Sequence, residues 1–143
     1  MLSLQEIIHG ADADKIPPAK LEQEQDLLER VNKIRTAWDK AMTVTSGVRT
    51  WADHLRIYHE KGITDLSKIP TKSKHLETVT DAAAVDIADP GLLLTHWLKN
   101  DPEGIAALED ADLYCEDGNA NWVHFQNKPF GSYHSGGTRW FKP

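Results

Sequence analysis

Three short stretches of this chain carry side chains suited to chemistry. Ser73-Lys74-His75 lies in a polar stretch. Ala84-Val85-Asp86-Ile87 sets a carboxylate in an apolar run, and Asn121-Trp122-Val123-His124-Phe125-Gln126 sets an imidazole in another. Singly, each has an ordinary explanation: Asp86 as a carboxylate on the solvated face of a strand, His124 as a hydrogen-bonded structural histidine, His75 as a loop residue. Together they mean more. A carboxylate is costly to bury unless it is paired or bound to a metal. Two imidazoles, one carboxylate and a position open to water are a common composition for catalytic zinc. Zinc bound in this way lowers the pKa of its water from 15.7 to roughly 7, giving a hydroxide nucleophile at neutral pH. No other trio in the chain offers so clean a set. There is no His-Glu-x-x-His helix, no Gly-x-Ser-x-Gly elbow and no phosphate-binding Gly-rich loop.

The elements that must position these residues follow from periodicity. Residues 1–10 predict a short helix with Leu4, Ile7 and Ile8 on one face. Pro17 and Pro18 suit the start of a second helix. From Leu21 to Lys40, apolar residues at Leu21, Leu27, Leu28, Val31, Ile34 and Trp38 fall at helical spacing. Met42 to Thr45 has strand composition, and Ser46-Gly47 is a turn signal. Thr50 is the expected N-cap of a helix through about Tyr58, ending near Gly62. Residues 63–82 read as a long polar surface loop, a feature often tied to function. Ala83 to Ala88 reads as a buried strand. Helices follow after Pro90-Gly91 and from Glu103 to Leu108. Asp112–Cys115 and Asn121–Gln126 read as strands joined through a turn at Glu116-Asp117-Gly118-Asn119. The tail from Pro129 reads as irregular. Helices and strands mix without regular alternation, which argues for an α+β fold.

The chain has 143 residues, enough for one domain. Its net charge of −6 gives no general field for phosphate backbones, and no basic stripe is present, so nucleic acid is not an expected partner. Cys115 is the one cysteine, which excludes an internal disulfide and a cysteine-rich zinc site; a buried, strand-borne role is expected for it. No stretch approaches the ~20 apolar residues of a membrane helix, so no stable membrane association is expected. Residues 1–6 lack a basic start and an apolar run, and no secretory signal is expected.

The ordered set Ser-Gly-Val-Arg (46–49), Ser-x-His (73–75), Ala-Val-Asp-Ile (84–87) and Trp-Val-His (122–124) resembles the D-alanyl-D-alanine carboxypeptidase and L-alanyl-D-glutamate endopeptidase family of zinc peptidases, which includes many phage endolysins and shares its fold with the hedgehog signalling domain. The resemblance covers about residues 21–126, with 1–17 and 127–143 as extensions of a single zinc peptidase domain. It implies a small antiparallel sheet packed against helices. It also implies Zn2+ held by His75, Asp86 and His124, with Arg49 contacting substrate and stabilising the oxyanion. A fixed guanidinium suits that task because its donors are planar and permanently charged. The implied substrate is a peptidoglycan stem peptide, cut by an endopeptidase of endolysin type rather than a D,D-carboxypeptidase. A monomer made in the cytoplasm and acting on the wall after release is the matching expectation.

The chain departs from the family pattern at two places. Glu77 to Thr80 stands as a small insertion after His75, which makes Asp81 a rival ligand to Asp86; the flanking Val85 and Ile87 favour Asp86. Many relatives carry an acid shortly before the last histidine, acting as general base and then acid. Here Asn121 has that spacing. Glu116 and Asp117, with Asp117 slightly favoured, and His134 in the tail are the alternatives. Tyr133 and Trp140 are candidates for a groove wall, with a core role for Trp140 equally expected. The lack of an acid at 121 also keeps open a module that holds zinc without turnover.

Overall fold

The computed structural model describes residues 1–130 and 139–142. Five helices run in chain order: α1 (Leu4–Ile7), α2 (Pro18–Trp38), α3 (Trp51–Glu60), α4 (Leu93–Asn100) and α5 (Pro102–Ala111). Five strands join in one sheet: β1 (Val44–Ser46), β2 (Ala84–Ala88), β3 (Tyr114–Glu116), β4 (Trp122–Gln126) and β5 (Trp140–Phe141). The α+β class expected from the mixed pattern is present.

Local chemistry accounts for the helix ends. Ser3 and Glu6 form a reciprocal capping box on α1. Thr50 accepts from the Asp53 amide, the N-cap read from the sequence. Pro18 opens α2, where its missing N–H leaves no bond unmade. Leu27, Val31 and Ile34 on α2 are fully buried. They meet Val85 and Ile87 of β2, Val123 and Phe125 of β4 and Cys115 of β3 in one core, closed by Leu94 and Leu98 of α4 and Leu108 and Ala111 of α5. Leu2 and Ile7 also belong to this core, so the N-terminal segment is packed into the fold. Cys115 has the buried strand position expected of it, and burial pushes its thiol pKa up, away from nucleophilic use.

The strand order is β1-β2-β4-β3-β5. β1–β2, β2–β4 and β3–β4 are antiparallel, and the turn at 116–119 links β3 and β4 as expected. β5 runs parallel to β3, pairing Cys115 with Trp140 and Glu116 with Phe141. The sheet is therefore mixed rather than purely antiparallel, and the tail read as irregular contributes an edge strand. Two residues are too few to show a period, and only the open edge of β3 makes them a strand.

One register fixes the site. β2 and β4 pair with Asp86 opposite His124. Because side chains alternate, Val85, Ile87, Val123 and Phe125 go to the core and Asp86 and His124 share the other face.

Candidate metal centre

On that second face, His75, Asp86 and His124 converge, each buried, with one potential ligand atom apiece and all three atoms within 4.8 Å of one another. His124 Nδ1 lies 3.0 Å from Asp86 Oδ1, and His75 Nε2 lies 3.3 Å from the same oxygen. The two rings meet edge to face at 5.1 Å between centroids. His75, Asp86 and His124 are thus a buried group that could hold a metal ion. Asp81, the rival ligand, is exposed and lies outside it.

The far nitrogens of both rings are committed. His75 Nδ1 is 2.8 Å from the Gly47 carbonyl, which can only accept, so Nδ1 carries the proton. His124 Nε2 is 2.9 Å from Gln126 Oε1. The Gln126 amide donates to the Lys128 carbonyl at 2.7 Å, which turns its oxygen toward the ring and makes Nε2 the donor. In their neutral forms both imidazoles therefore aim a lone pair at Asp86. Three acceptors facing one point need a cation or a shared proton between them. Outer hydrogen bonds of this kind are the usual support of metal-binding histidines.

The proton balance agrees. Burial lowers the pKa of His75 despite the charge of Asp86. Burial also pulls His124 down, but its hydrogen bond to Asp86, the Asp86 charge and the Gln126 contact outweigh this and raise it. Burial would raise Asp86, yet the two imidazoles hold it far below the usual carboxylate range. The fit to a metal rests on donor chemistry: two neutral nitrogens and one ionised oxygen, already oriented.

Two chain segments bring the loop to the sheet. The Arg49 amide donates to the His75 carbonyl at 2.8 Å, and the Glu77 amide donates to the Arg49 carbonyl at 2.9 Å, a small parallel bridge. Gly47 is required here: a Cβ would overlap the Ile7 carbonyl oxygen of α1, so only glycine lets the 46–49 segment pack close enough to receive His75. Arg49 is held at Nε by Ser46 Oγ at 3.1 Å, and its Nη2 lies 3.7 Å from Asp86 Oδ2. Its guanidinium thus stands at the rim of the cluster.

The two acids near the turn separate. The register that sets Cys115 opposite Phe125 brings Glu116 alongside His124. Glu116 shares a cleft of about 450 Å³ with His124, Gln126, Tyr58 and the stacked rings of Phe130 and Phe141. With its amide oriented to satisfy both neighbours, Asn119 donates to Glu116 Oε1 at 3.0 Å and accepts from Trp122 Nε1 at 3.2 Å. Asp117 is ion-paired with Lys99 and lines clefts that include none of His75, Asp86 and His124. Asn121 is exposed with φ 67°, in the left-handed region that asparagine tolerates, and borders the cleft containing Asp86. Trp140 packs against the core, and Lys99 lies over its ring at 4.5 Å. His134 and Tyr133 lie outside the described residues.

The sequence assigned no role to Gln126 and marked Gly47 only as part of a turn and of the 46–49 motif. The signal for Gln126 was present: two residues beyond His124 on a strand, it must share the histidine's face. No helix among the described residues is long and apolar enough to cross a membrane. Compared with protein-family models, curated proteins and solved structures, the chain matches none.

Proposed function

We propose that this chain is a zinc-dependent peptidase that hydrolyses peptide bonds in peptidoglycan stem peptides. One observation carries the metal: two imidazoles tied down through their outer nitrogens direct lone pairs at a buried carboxylate. His75, Asp86 and His124 would hold the ion. Bound there, zinc would supply a water of lowered pKa and an electrophile for the scissile carbonyl. The substrate class comes from the resemblance of the four ordered motifs, of which Arg49, His75, Asp86 and His124 stand around one point.

The protein's own groups divide the remaining work. Arg49 donates to the carbonyl oxygen as negative charge develops on it. Glu116 accepts the proton of the attacking water at its carboxylate and returns it to the leaving amine. Phe130 and Phe141, parallel at 5.2 Å, wall the cleft on the His124 side. A second cleft, of about 700 Å³ and bordered by Arg49, Arg56 and Asn121, includes Asp86 and shares no lining residue with the first. Two separate clefts that touch the cluster support an endopeptidase over a D,D-carboxypeptidase, which needs space beyond the scissile bond for only a terminal residue.

A module that holds zinc without turnover is the second reading, favoured by Asn121 at the spacing of an acid. The test is elemental analysis of the purified protein, wild type beside His124→Ala, followed by digestion of purified peptidoglycan. About one zinc per chain, lost in the variant, with new amino termini released from the wall material, is the expected result. Zinc without released amines selects the binding module. No zinc in either protein, even after zinc is supplied, removes both readings.

A further inference from the structure

We infer that Lys20 is the positioning residue of the metal-bearing loop: its buried ammonium ties down both ends of the 74–82 segment that carries His75, with Glu24 as its countercharge. This rests on the reading of His75 as a metal ligand. Lys20 is wholly buried on α2, a place lysine almost never takes without a partner. Its Nζ donates to the Lys74 carbonyl at 2.7 Å and to the Ala82 carbonyl at 2.7 Å. The first lies next to His75 in sequence. The second lies just before β2, which carries Asp86. One ammonium therefore clamps the exit of the polar loop and the entry of the strand.

Apart from the short bridge to Arg49 and the buried side chain of Leu76, the backbone bonds of the segment are local. Leu76 donates to the Ser73 carbonyl and Val79 to the Leu76 carbonyl, both local turns. Arg49 and Gly47 grip His75 from the cleft side only. Lys20 grips the same stretch from the core side. No apolar side chain could replace it without leaving two buried carbonyls unsatisfied.

Glu24 has a different part. Its oxygen lies 3.7 Å from Lys20 Nζ, an ion-pair distance rather than a hydrogen bond, and both of its oxygens are buried without a hydrogen-bond partner. It touches no loop atom by hydrogen bond and acts as charge compensation. A buried pair of this kind is weak evidence for stability, since apolar replacement of both members is often tolerated. Its role is better sought in what Lys20 holds.

The experiment compares wild type, Lys20→Met/Glu24→Leu, Glu24→Gln and Leu108→Ala. The double variant removes both charges, so no lone buried charge remains. Two quantities are read below the unfolding range: the zinc dissociation constant by chelator competition, and hydrogen exchange of the Leu76, Glu77 and Val79 amides. The double variant is expected to weaken zinc about 10- to 100-fold, the size of other outer-contact losses. It should speed loop exchange at least about 10-fold while Val85 and Val123 amides stay unchanged. Leu108→Ala, which opens the core elsewhere, should leave zinc affinity within about twofold. Glu24→Gln leaves Lys20 without its countercharge but with both carbonyl contacts, so it should lower global stability while both readouts, taken below the unfolding range, stay near wild type. A folded double variant with wild-type zinc affinity and loop exchange overturns the proposal. So does a Glu24→Gln variant that loosens the loop, a comparison that stands if the double variant fails to fold. If the wild type binds no zinc, the metal reading fails separately, and exchange alone decides whether Lys20 holds the loop.

Discussion

The ring nitrogen that each histidine turns toward Asp86 is set by an atom on the other side of its ring. Gln126 is the clearest case, because its oxygen is aimed by a second hydrogen bond to the Lys128 carbonyl. Gln126→Leu keeps the bulk and removes the acceptor. It should weaken zinc roughly 10- to 100-fold in a chelator competition while leaving one ion per chain at saturation. Unchanged affinity would mean that the His124 ring is held by packing against Phe141 instead. The acids can be told apart in the same way. Glu116→Gln should lower kcat on peptidoglycan about 10²- to 10⁴-fold with zinc content intact, as for loss of a general base. Asp117→Asn, which breaks only the ion pair with Lys99, should change kcat by less than about threefold. The reverse order would return the base to Asp117. At this scale, Asp86 and His124 were legible because alternation in a strand settles a residue's face from its neighbours. His75 was not legible from spacing, because a loop residue has no period; its place depends on Gly47, Arg49 and Lys20, all far from it in sequence.

Among the elements, those with many apolar repeats were readable and those defined by a partner were not. α2 follows from Leu27, Val31 and Ile34, and α3 from the Thr50 cap. β5 exists only because β3 offers an edge, and the two ends of the 74–82 segment meet at Lys20, which continues the buried stripe of Leu27, Val31 and Ile34 although its charge is of a kind expected in solvent. Gly47 shows how tightly the elements meet. Gly47→Ala must push the 46–49 segment off α1, and should cost about 1–3 kcal/mol in chemical denaturation, as overpacking does. A loss below ~0.5 kcal/mol would mean that α1 moves freely. The Lys20–Glu24 pair gives α2 a pH signature. Burial raises Glu24 from 4.5 to about 7 and lowers Lys20 from 10.5 to about 8. Between pH 4.5 and 7 the folded state then holds a proton that the unfolded chain has released, so the pair's contribution to stability falls as pH rises through that window. Between pH 8 and 10.5 the unfolded chain holds the extra proton, and the contribution recovers. The stability difference between wild type and Lys20→Met/Glu24→Leu should therefore move against wild type from pH 5 to pH 7. A difference flat across that range would mean that the pair stays fully ionised in both states.

For the whole molecule, the three candidate ligands come from a loop, a central strand and its neighbour, so an ion at this point would fasten together parts of the chain that the unfolded state keeps apart. A ligand that binds only the folded state stabilises it by RT ln(1 + [L]/Kd), about 2.7 kcal/mol at one hundred times Kd. For a domain of this size that corresponds to a rise in Tm of roughly 5–10 °C. The rise should depend on pH with a definite sign. Binding requires both imidazoles neutral. His75, lowered by burial, meets this condition well into mild acid. His124, raised by Asp86 over the opposing effect of burial, does not, and must release a proton as the ion enters. Zinc affinity should therefore climb with pH across the region above the ordinary histidine pKa of ~6.5. The zinc-dependent rise in Tm should be larger at pH 8 than in mild acid. His124→Ala should show no rise at either pH. The measurement is a melt with and without saturating zinc at each pH. A rise that persists undiminished in acid, or that survives in His124→Ala, would place the ion elsewhere and leave Asp86 and its two imidazoles as a hydrogen-bonded cluster with a structural role only.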